Sequence, residues 1–249
     1  SGVGPAPIVY AGAPPYNTPL CGAGTADPTT GVGSEPAFDP SELAGKIVVC
    51  DRGTYGRVAK GQEVFDAGGI GMVLANDAAS GDSLTADMHV LPAVHITFDD
   101  GQRVKAWLAG GGTNHTAVIS GLVEDNDAAN GDVMGSFSSR GPNPSVLGVI
   151  KPDVTAPGVD IYAAFNTPLT AQPPVGPNVP EYGIISGTSM SSPHAAGAVA
   201  LLRALKPSWT PSQLKSALMT TGFTTPPGSG SEAHGVLKED SATPATPFE

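Results

Sequence analysis

Short apolar runs alternate with amphipathic stretches through the first half of the chain. Residues 47–50 (IVVC) predict a buried strand, and residues 56–67 predict a helix that Gly68 and Gly69 end. Further strands are predicted at residues 8–10, 70–75, 91–97 and 115–120, the first of them at a sheet edge. This half therefore predicts a compact module of mixed strands and helices.

A second helix is predicted after residue 97, with Asp99 or Asp100 as its N-terminal cap. Spacings of three and four place Val104, Trp107 and Leu108 on one face of this helix.

The second half contains short strand-like pieces at residues 153–156 and 161–165, bounded by Pro and Gly. Residues 195–205 are apolar nearly all round, which predicts a helix buried in the middle of a domain. Thr210, Pro211 and Gln213 form the capping-box start of another helix. Its buried face is predicted to be Leu214, Ala217 and Leu218, and its end Gly222.

Composition narrows the class of protein. The 249 residues are 40% hydrophobic, which is enough for a real core. The net charge of -11 disfavours nucleic acid, whose binding is driven mainly by cationic side chains. No apolar stretch is long enough to span a bilayer, so no membrane partner is expected. Low charge, few lysines and runs such as Pro-Pro and Thr-Thr resemble exported proteins and suggest secretion.

The string GTSMSSPH at residues 187–194 lies between an apolar strand and the apolar helix. A serine in the first turn of a helix lies beside unpaired N–H groups and the positive end of the helix dipole, where an oxyanion can be stabilised. Gly187 leaves room for a substrate backbone. Taken alone, Ser189 could equally be a helix cap.

Linked motifs favour chemistry at this serine. The string, with SSRGPN at residues 138–143 and KPDVTAPG at 151–158, resembles the subtilase family of serine proteases in order and spacing. By that resemblance Ser189 is the catalytic nucleophile, which attacks a peptide carbonyl after a histidine takes its proton. The resemblance implies hydrolysis of a protein or peptide substrate, with no cofactor.

The first half resembles the protease-associated domain that is inserted in many subtilases. The resemblance lies in residues 45–77 and in ADMHVLPAV at 86–94, and it extends over roughly residues 5–122. It predicts a strand-rich α+β protease-associated domain at 1–122, a linker at 123–132, and the C-terminal part of an α/β, mostly parallel subtilisin-like domain at 133–249. The inserted domain is expected to serve substrate access or protein contacts.

Other titratable residues are expected to be structural. His194 is five residues from Ser189, a rotation of about 500 degrees along a helix that points its ring away; by the resemblance it is a buried, hydrogen-bonded histidine. Asp87 and His89 are two apart on one strand and could touch, but nothing directs them to Ser189. Asp153 is placed within the KPDVTAPG turn.

The chain lacks the family's stretches for the catalytic acid, the histidine base and the oxyanion-hole asparagine. We therefore expect a segment of an endopeptidase that is inactive alone, with the missing N-terminal part of the catalytic domain as its partner. The apolar helix would then expose surface and could self-associate. The alternative is a non-catalytic module that recruits substrates.

Three smaller features complete the predictions. The acidic residues 123–132 favour a solvated linker over a calcium loop, so no metal site is assigned. Cys21 and Cys50 either form a disulfide or remain free thiols, with the disulfide as our hypothesis. Asn114-His115-Thr116 fits the N-glycosylation pattern if the source is eukaryotic and secreted, and is otherwise a turn.

Overall fold

A computed structural model describes residues 2–111, 114–121, 123, 131–139, 141–146, 148–164 and 182–222. The strands are β1 (Val3–Tyr10), β2 (Ala23–Ala26), β3 (Gly33–Glu35), β4 (Ile47–Asp51), β5 (Gly71–Ala75), β6 (Ala93–Ile96), β7 (Thr116–Ile119), β8 (Ile161–Ala164) and β9 (Tyr182–Ile185). The helices are α1 (Arg57–Asp66), α2 (Phe98–Ala109), α3 (Thr188–Leu205) and α4 (Pro211–Thr221).

The fold is α/β, as the sequence predicts. Its main sheet has the strand order β6-β5-β4-β1-β7, in which the first four strands are parallel and β7 is antiparallel to β1. In this last pair Val3 lies opposite Ile119. Two-stranded sheets join β2 to β3 and β8 to β9.

Both faces of the main sheet are buried. Along β4, Val48 and Cys50 face a cluster that includes Val64 of α1, whereas Ile47 and Val49 face a cluster that includes Val104 of α2. This alternation follows the two-residue period of a strand. Because both of its faces are covered, the strand reads as a continuous apolar run.

Strand β1 corrects one prediction, since it lies inside the sheet and not at its edge. Residues 8–10 of β1 pair with β4, while Val3, Ala6 and Pro7 pair with β7. The two halves of the strand therefore bond mainly to different neighbours. The prolines lie in the half that pairs with β7, which is why the sequence looks like an edge strand.

Helix α2 corrects a second prediction. Its N-terminal cap is Thr97, whose hydroxyl accepts a hydrogen bond from the backbone N–H of Asp100 at 3.1 Å. Asp99 and Asp100 lie in the first turn, where carboxylates favour the positive end of the helix dipole. Of the three residues predicted to share one face, Val104 and Leu108 pack against the core and Trp107 is 47% exposed.

The chain divides into two compact units. One comprises Ser1–Val123 with Tyr162–Ile184, and the other comprises Glu124–Ile161 with Ile185–Glu249. The predicted linker at 123–132 falls mostly outside the described residues.

Helix α3 is exposed, whereas its apolar composition alone predicts a buried helix. None of its residues is buried, and Leu201 and Leu205 are 72% and 75% exposed. Within its unit it packs against α4, which begins with the predicted capping box and buries Leu214. The exposed apolar surface expected for this helix is confirmed.

Candidate active site

Ser189 is the second residue of α3, where the sequence places it. Strand β9 ends at Ile185, Gly187 is the N-terminal cap, and the helix begins at Thr188. The Ser189 side chain is exposed, and its hydroxyl makes no hydrogen bond to any residue that the structure describes. A serine hydroxyl free at a helix N-terminus is available to an external base, with the unpaired N–H groups of the first turn close by.

The segment before β8 holds the first turn of α3 in place. The backbone N–H of Gly187 donates to the carbonyl of Gly158 at 2.8 Å, and the hydroxyl of Ser191 donates to the carbonyl of Ala156 at 2.8 Å. A Cβ atom on Gly158 would lie 2.9 Å from the Gly187 carbonyl oxygen and 3.0 Å from Ser191 Cβ. Position 158 therefore requires glycine, and two of the sequence motifs meet at the serine.

Asp153 ties the same segment to helix α4. Its carboxylate forms ion pairs with Lys151 and with Lys215 of α4. Hydrogen bonds from Lys151 first, and then from Lys215, hold the pKa of Asp153 below its usual value. The predicted structural role of Asp153 agrees with these contacts.

A cavity of about 430 Å³ adjoins the first turn of α3. Thr188, the neighbour of Ser189, forms part of its wall. The other lining residues come from the SSRGPN motif, the two residues that follow it, and the start of the KPDVTAPG motif. They are Ser139, Pro142, Asn143, Pro144, Ser145, Lys151 and Pro152. All three motifs thus contribute to one surface beside the serine.

His194 is exposed, which corrects the expectation of a buried histidine. Its Nδ1 lies 2.9 Å from the carbonyl oxygen of Met190, so that Nδ1–H donates to the preceding turn of its own helix. Among the described residues, no element covers the part of α3 on which His194 lies, which explains the exposure. A ring held to its own helix backbone agrees with the prediction that His194 is not the base for Ser189.

Asp87 and His89 interact electrostatically, but their hydrogen bonding differs. Asp87 accepts two hydrogen bonds from the guanidinium of Arg57, at 2.5 and 2.9 Å, as a bidentate ion pair. Burial lowers the pKa of His89. The His89 ring lies against Gly61, where a larger residue would not fit, because a Cβ atom added to Gly61 would be 2.8 Å from Nδ1. The ion pair gives Asp87 a structural role, as expected, whereas Nδ1 of His89 is buried without a hydrogen-bond partner among the described residues.

Sequence reasoning missed a polar cluster at the carboxyl ends of the parallel strands. Arg52, directly after β4, donates to the Asn76 side-chain oxygen at 3.0 Å, and His95 of β6 lies 2.7 Å from that same oxygen. Asn76 is buried and also donates to the carbonyls of Gly81 and Ser83. The cluster holds the loop between β5 and β6. Polar residues directly after two buried strands were the available signal.

The two cysteines form a disulfide, Cys21–Cys50, with a Cα–Cα distance of 5.6 Å. Both are fully buried. The hypothesis of a bridge between the irregular N-terminal arm and the first strong strand is confirmed.

None of the helices in the described residues combines the length and apolar character needed to cross a membrane. In the same residues, no group of three or more His, Cys, Asp or Glu side chains is placed to hold a metal ion.

The described fold is α/β, and Ser189 is exposed at the N-terminus of α3. Comparison with known proteins makes the class specific, because the subtilase family profile matches residues 53–243. The chain belongs to the subtilase family.

Curated plant relatives agree with this assignment. Subtilisin-like protease SBT1.7 of Arabidopsis thaliana is 40% identical over 249 residues, which cover 98% of this chain and 30% of that protein. Subtilisin-like protease SBT1.6 of the same plant is 44% identical over 190 residues, 75% of this chain and 24% of that protein. The chain therefore spans less than a third of the length of these relatives.

Proposed function

We propose that this chain is a segment of a secreted subtilisin-like serine endopeptidase in which Ser189 is the nucleophile. The observation that carries the proposal is the position of Ser189, exposed in the first turn of α3 with its hydroxyl unbonded to any described residue. The bonds from Gly187 and Ser191 to the 156–158 segment support the same turn. The substrate would be a protein or peptide.

In the proposed reaction, a base takes the proton of the Ser189 hydroxyl as its oxygen attacks the scissile carbonyl. The tetrahedral intermediate places negative charge on the former carbonyl oxygen. The backbone N–H of Ser189, in the first turn of α3, would donate to that oxygen, and the helix dipole favours the charge. Collapse of the intermediate releases the amine and leaves an acyl group on Ser189, which water then hydrolyses.

The base is proposed to come from outside this chain. In the described part of the unit that contains Ser189, the histidine is His194, whose ring donates to the Met190 carbonyl. The catalytic Asp, the His and the oxyanion Asn are proposed to belong to the N-terminal part of the catalytic domain, as the partner of this segment. On this proposal the isolated chain is inactive.

The remaining parts of the proposal concern the first unit and the location. Residues 1–122 are proposed to be a protease-associated domain that contacts substrates or proteins, since the polar groups of its sheet take part in ion pairs and loop contacts rather than in a catalytic set. Secretion is supported by the Cys21–Cys50 disulfide, because disulfides persist in oxidising compartments.

A fluorophosphonate probe, which reacts with activated serines, tests the proposal. The complete protein, expressed from the full reading frame that encodes this chain, should be labelled at Ser189. The Ser189→Ala variant should not be labelled. Ser192→Ala is the matched control, because Ser192 is also exposed at the start of α3 and should leave labelling intact. The isolated 249-residue chain should remain unlabelled.

Two outcomes contradict the proposal. Stoichiometric labelling of the isolated chain would show that a base lies within it. Labelling of the complete protein at a serine other than Ser189, or no labelling while substrates still bind, would favour a non-catalytic recruiting module.

A further inference from the structure

One N-glycosylation sequence occurs in the chain, at Asn114-His115-Thr116. The similar triplet Asn143-Pro144-Ser145 has proline in the middle position, which excludes it from the pattern. We infer that Asn114 carries an N-linked glycan in the mature protein. The inference rests on the secretion that is part of the proposed function.

The backbone presents Asn114 to solvent. It lies in the connection between α2, which ends at Ala109, and β7, which begins at Thr116. Exposure alternates along this stretch, since Asn114 and Thr116 are exposed and His115 is partly buried. In extended backbone, residues two apart share a face, so both sequon side chains point away from the sheet.

A glycan on Asn114 would disturb no contact of the described fold. The Asn114 side chain makes no hydrogen bond to any residue that the structure describes. A bulky, solvated group can therefore be added to its amide nitrogen without loss of a native bond. Neighbouring connections that carry buried polar groups, such as the loop held by Asn76, would not tolerate such an addition.

The residue between the sequon positions is firmly held. The carbonyl of His115 accepts a hydrogen bond from the backbone N–H of Ile8 at 3.0 Å. The His115 ring meets the Trp107 ring edge to face, with 4.4 Å between centroids. Trp107 is 47% exposed, so a large apolar ring lies uncovered beside the site.

The proposed secretory route would bring the chain to the compartment in which such glycans are added. The buried Cys21–Cys50 disulfide fits an oxidising secretory route. The relatives reported above are plant proteins, and plants attach glycans to asparagine in that route. Sequence pattern, exposure and disulfide thus converge on one modification.

The test uses the complete reading frame expressed in secreting plant cells. The secreted protein is treated with a peptide N-glycosidase that acts on plant glycans, and its peptides are analysed by mass spectrometry. We expect the intact mass to fall by one glycan and residue 114 to be converted from Asn to Asp. Asn114→Gln and Thr116→Ala should lose the glycan, whereas Thr116→Ser should retain it because serine also fits the pattern.

Pro144→Ala supplies the matched control, because it creates an Asn-Ala-Ser pattern at residue 143. If this variant carries sugar at Asn143 while Asn114 stays bare, the inference is wrong and the secretion proposal survives. If neither asparagine carries sugar, the inference is wrong, and recovery of the protein from the culture medium decides the secretion proposal separately. Sugar at Asn114 that persists in Thr116→Ala would also overturn it, since the attachment would then not follow the sequon.

Discussion

Ser191 donates its hydroxyl hydrogen to the carbonyl oxygen of Ala156 at 2.8 Å, which joins the first turn of α3 to the segment that precedes β8. Because Ser189 lies two residues earlier, this bond helps to fix the backbone on which the proposed nucleophile sits. Gly158, whose carbonyl accepts from Gly187, closes the same junction. The relationship makes Ser191 a positioning residue.

Ser191→Ala should lower the unfolding free energy by about 1 kcal/mol, the net value of a typical hydrogen bond. It should also slow fluorophosphonate labelling of the complete protein at Ser189, because the first turn would be less restrained. Urea denaturation and labelling kinetics give the two readouts. Ser192→Ala, exposed in the same turn, should change stability by less than about 0.5 kcal/mol, and equal effects of the two variants would refute the positioning role.

Removal of the disulfide should destabilise the N-terminal unit. The bridge closes a loop with a sequence separation of 29, for which the chain-entropy model gives about 3 to 4 kcal/mol. The double variant Cys21→Ala/Cys50→Ala should therefore unfold at a clearly lower urea concentration than the oxidised protein. An unchanged midpoint would mean that the arm is held without the bridge. Reductant should reproduce the shift in the wild type and leave the double variant unaffected.

Because of the buried side chain of Lys60, we expect the free energy of unfolding to increase as the pH rises above about 8. Its side chain is fully buried, its Nζ donates to the Leu20 carbonyl at 2.5 Å, and burial lowers the pKa of Lys60 to about 8. Unfolded lysine has a pKa of about 10.4, so between these values the unfolded chain binds more protons and stability rises with pH.

The measurement compares the wild type with Lys60→Met between pH 7 and pH 10. Above pH 8 the free energy of unfolding of the wild type should rise relative to that of the variant by up to about 1.4 kcal/mol per pH unit. Lys46→Met serves as the control, since the Lys46 side chain is only partly buried. Parallel pH curves for wild type and Lys60→Met would show that Lys60 keeps its proton in the fold.

The apolar surface of α3 leads us to propose that the isolated chain self-associates. Leu201 and Leu205 are four residues apart on one side of the helix and are 72% and 75% exposed. The double variant Leu201→Lys/Leu205→Lys should reduce the association seen by sedimentation velocity, with the unfolding midpoint unchanged. Association that persists in this variant would place the contact elsewhere.

The sequence predicts best those strands and helices whose apolar faces are covered by other described elements of this chain. Strands β4 and β5 are apolar on both faces because helices cover both faces, so their apolar runs are unambiguous. The capping box of α4 depends only on Thr210 and Gln213, which are three residues apart. Such local signals need no knowledge of the rest of the molecule.

Two of the predictions that failed depend on distant partners, and a third depends on a local choice between caps. His194 was expected to be buried, but the surface that would cover the apolar helix α3 is absent from the described residues, so the ring is exposed. The position of β1 between β4 and β7 depends on a long-range pairing that period and composition do not encode. Thr97 was missed as a cap because two aspartates follow it and are also good caps.

The antiparallel pair of Val3 and Ile119 has a consequence for the evolution of the module. Residues that face each other in such a pair have Cα atoms about 5 Å apart, so the polypeptide enters and leaves the module side by side. On the proposal that residues 1–122 are an inserted protease-associated domain, a host protein has to open only one surface loop to receive it, and the host chain spans a very short gap. The entropy lost on closing that gap depends on the short distance and not on the length of the acquired sequence. The same geometry makes residues 3–119 suitable for circular permutation, since a few residues could join the two strand ends.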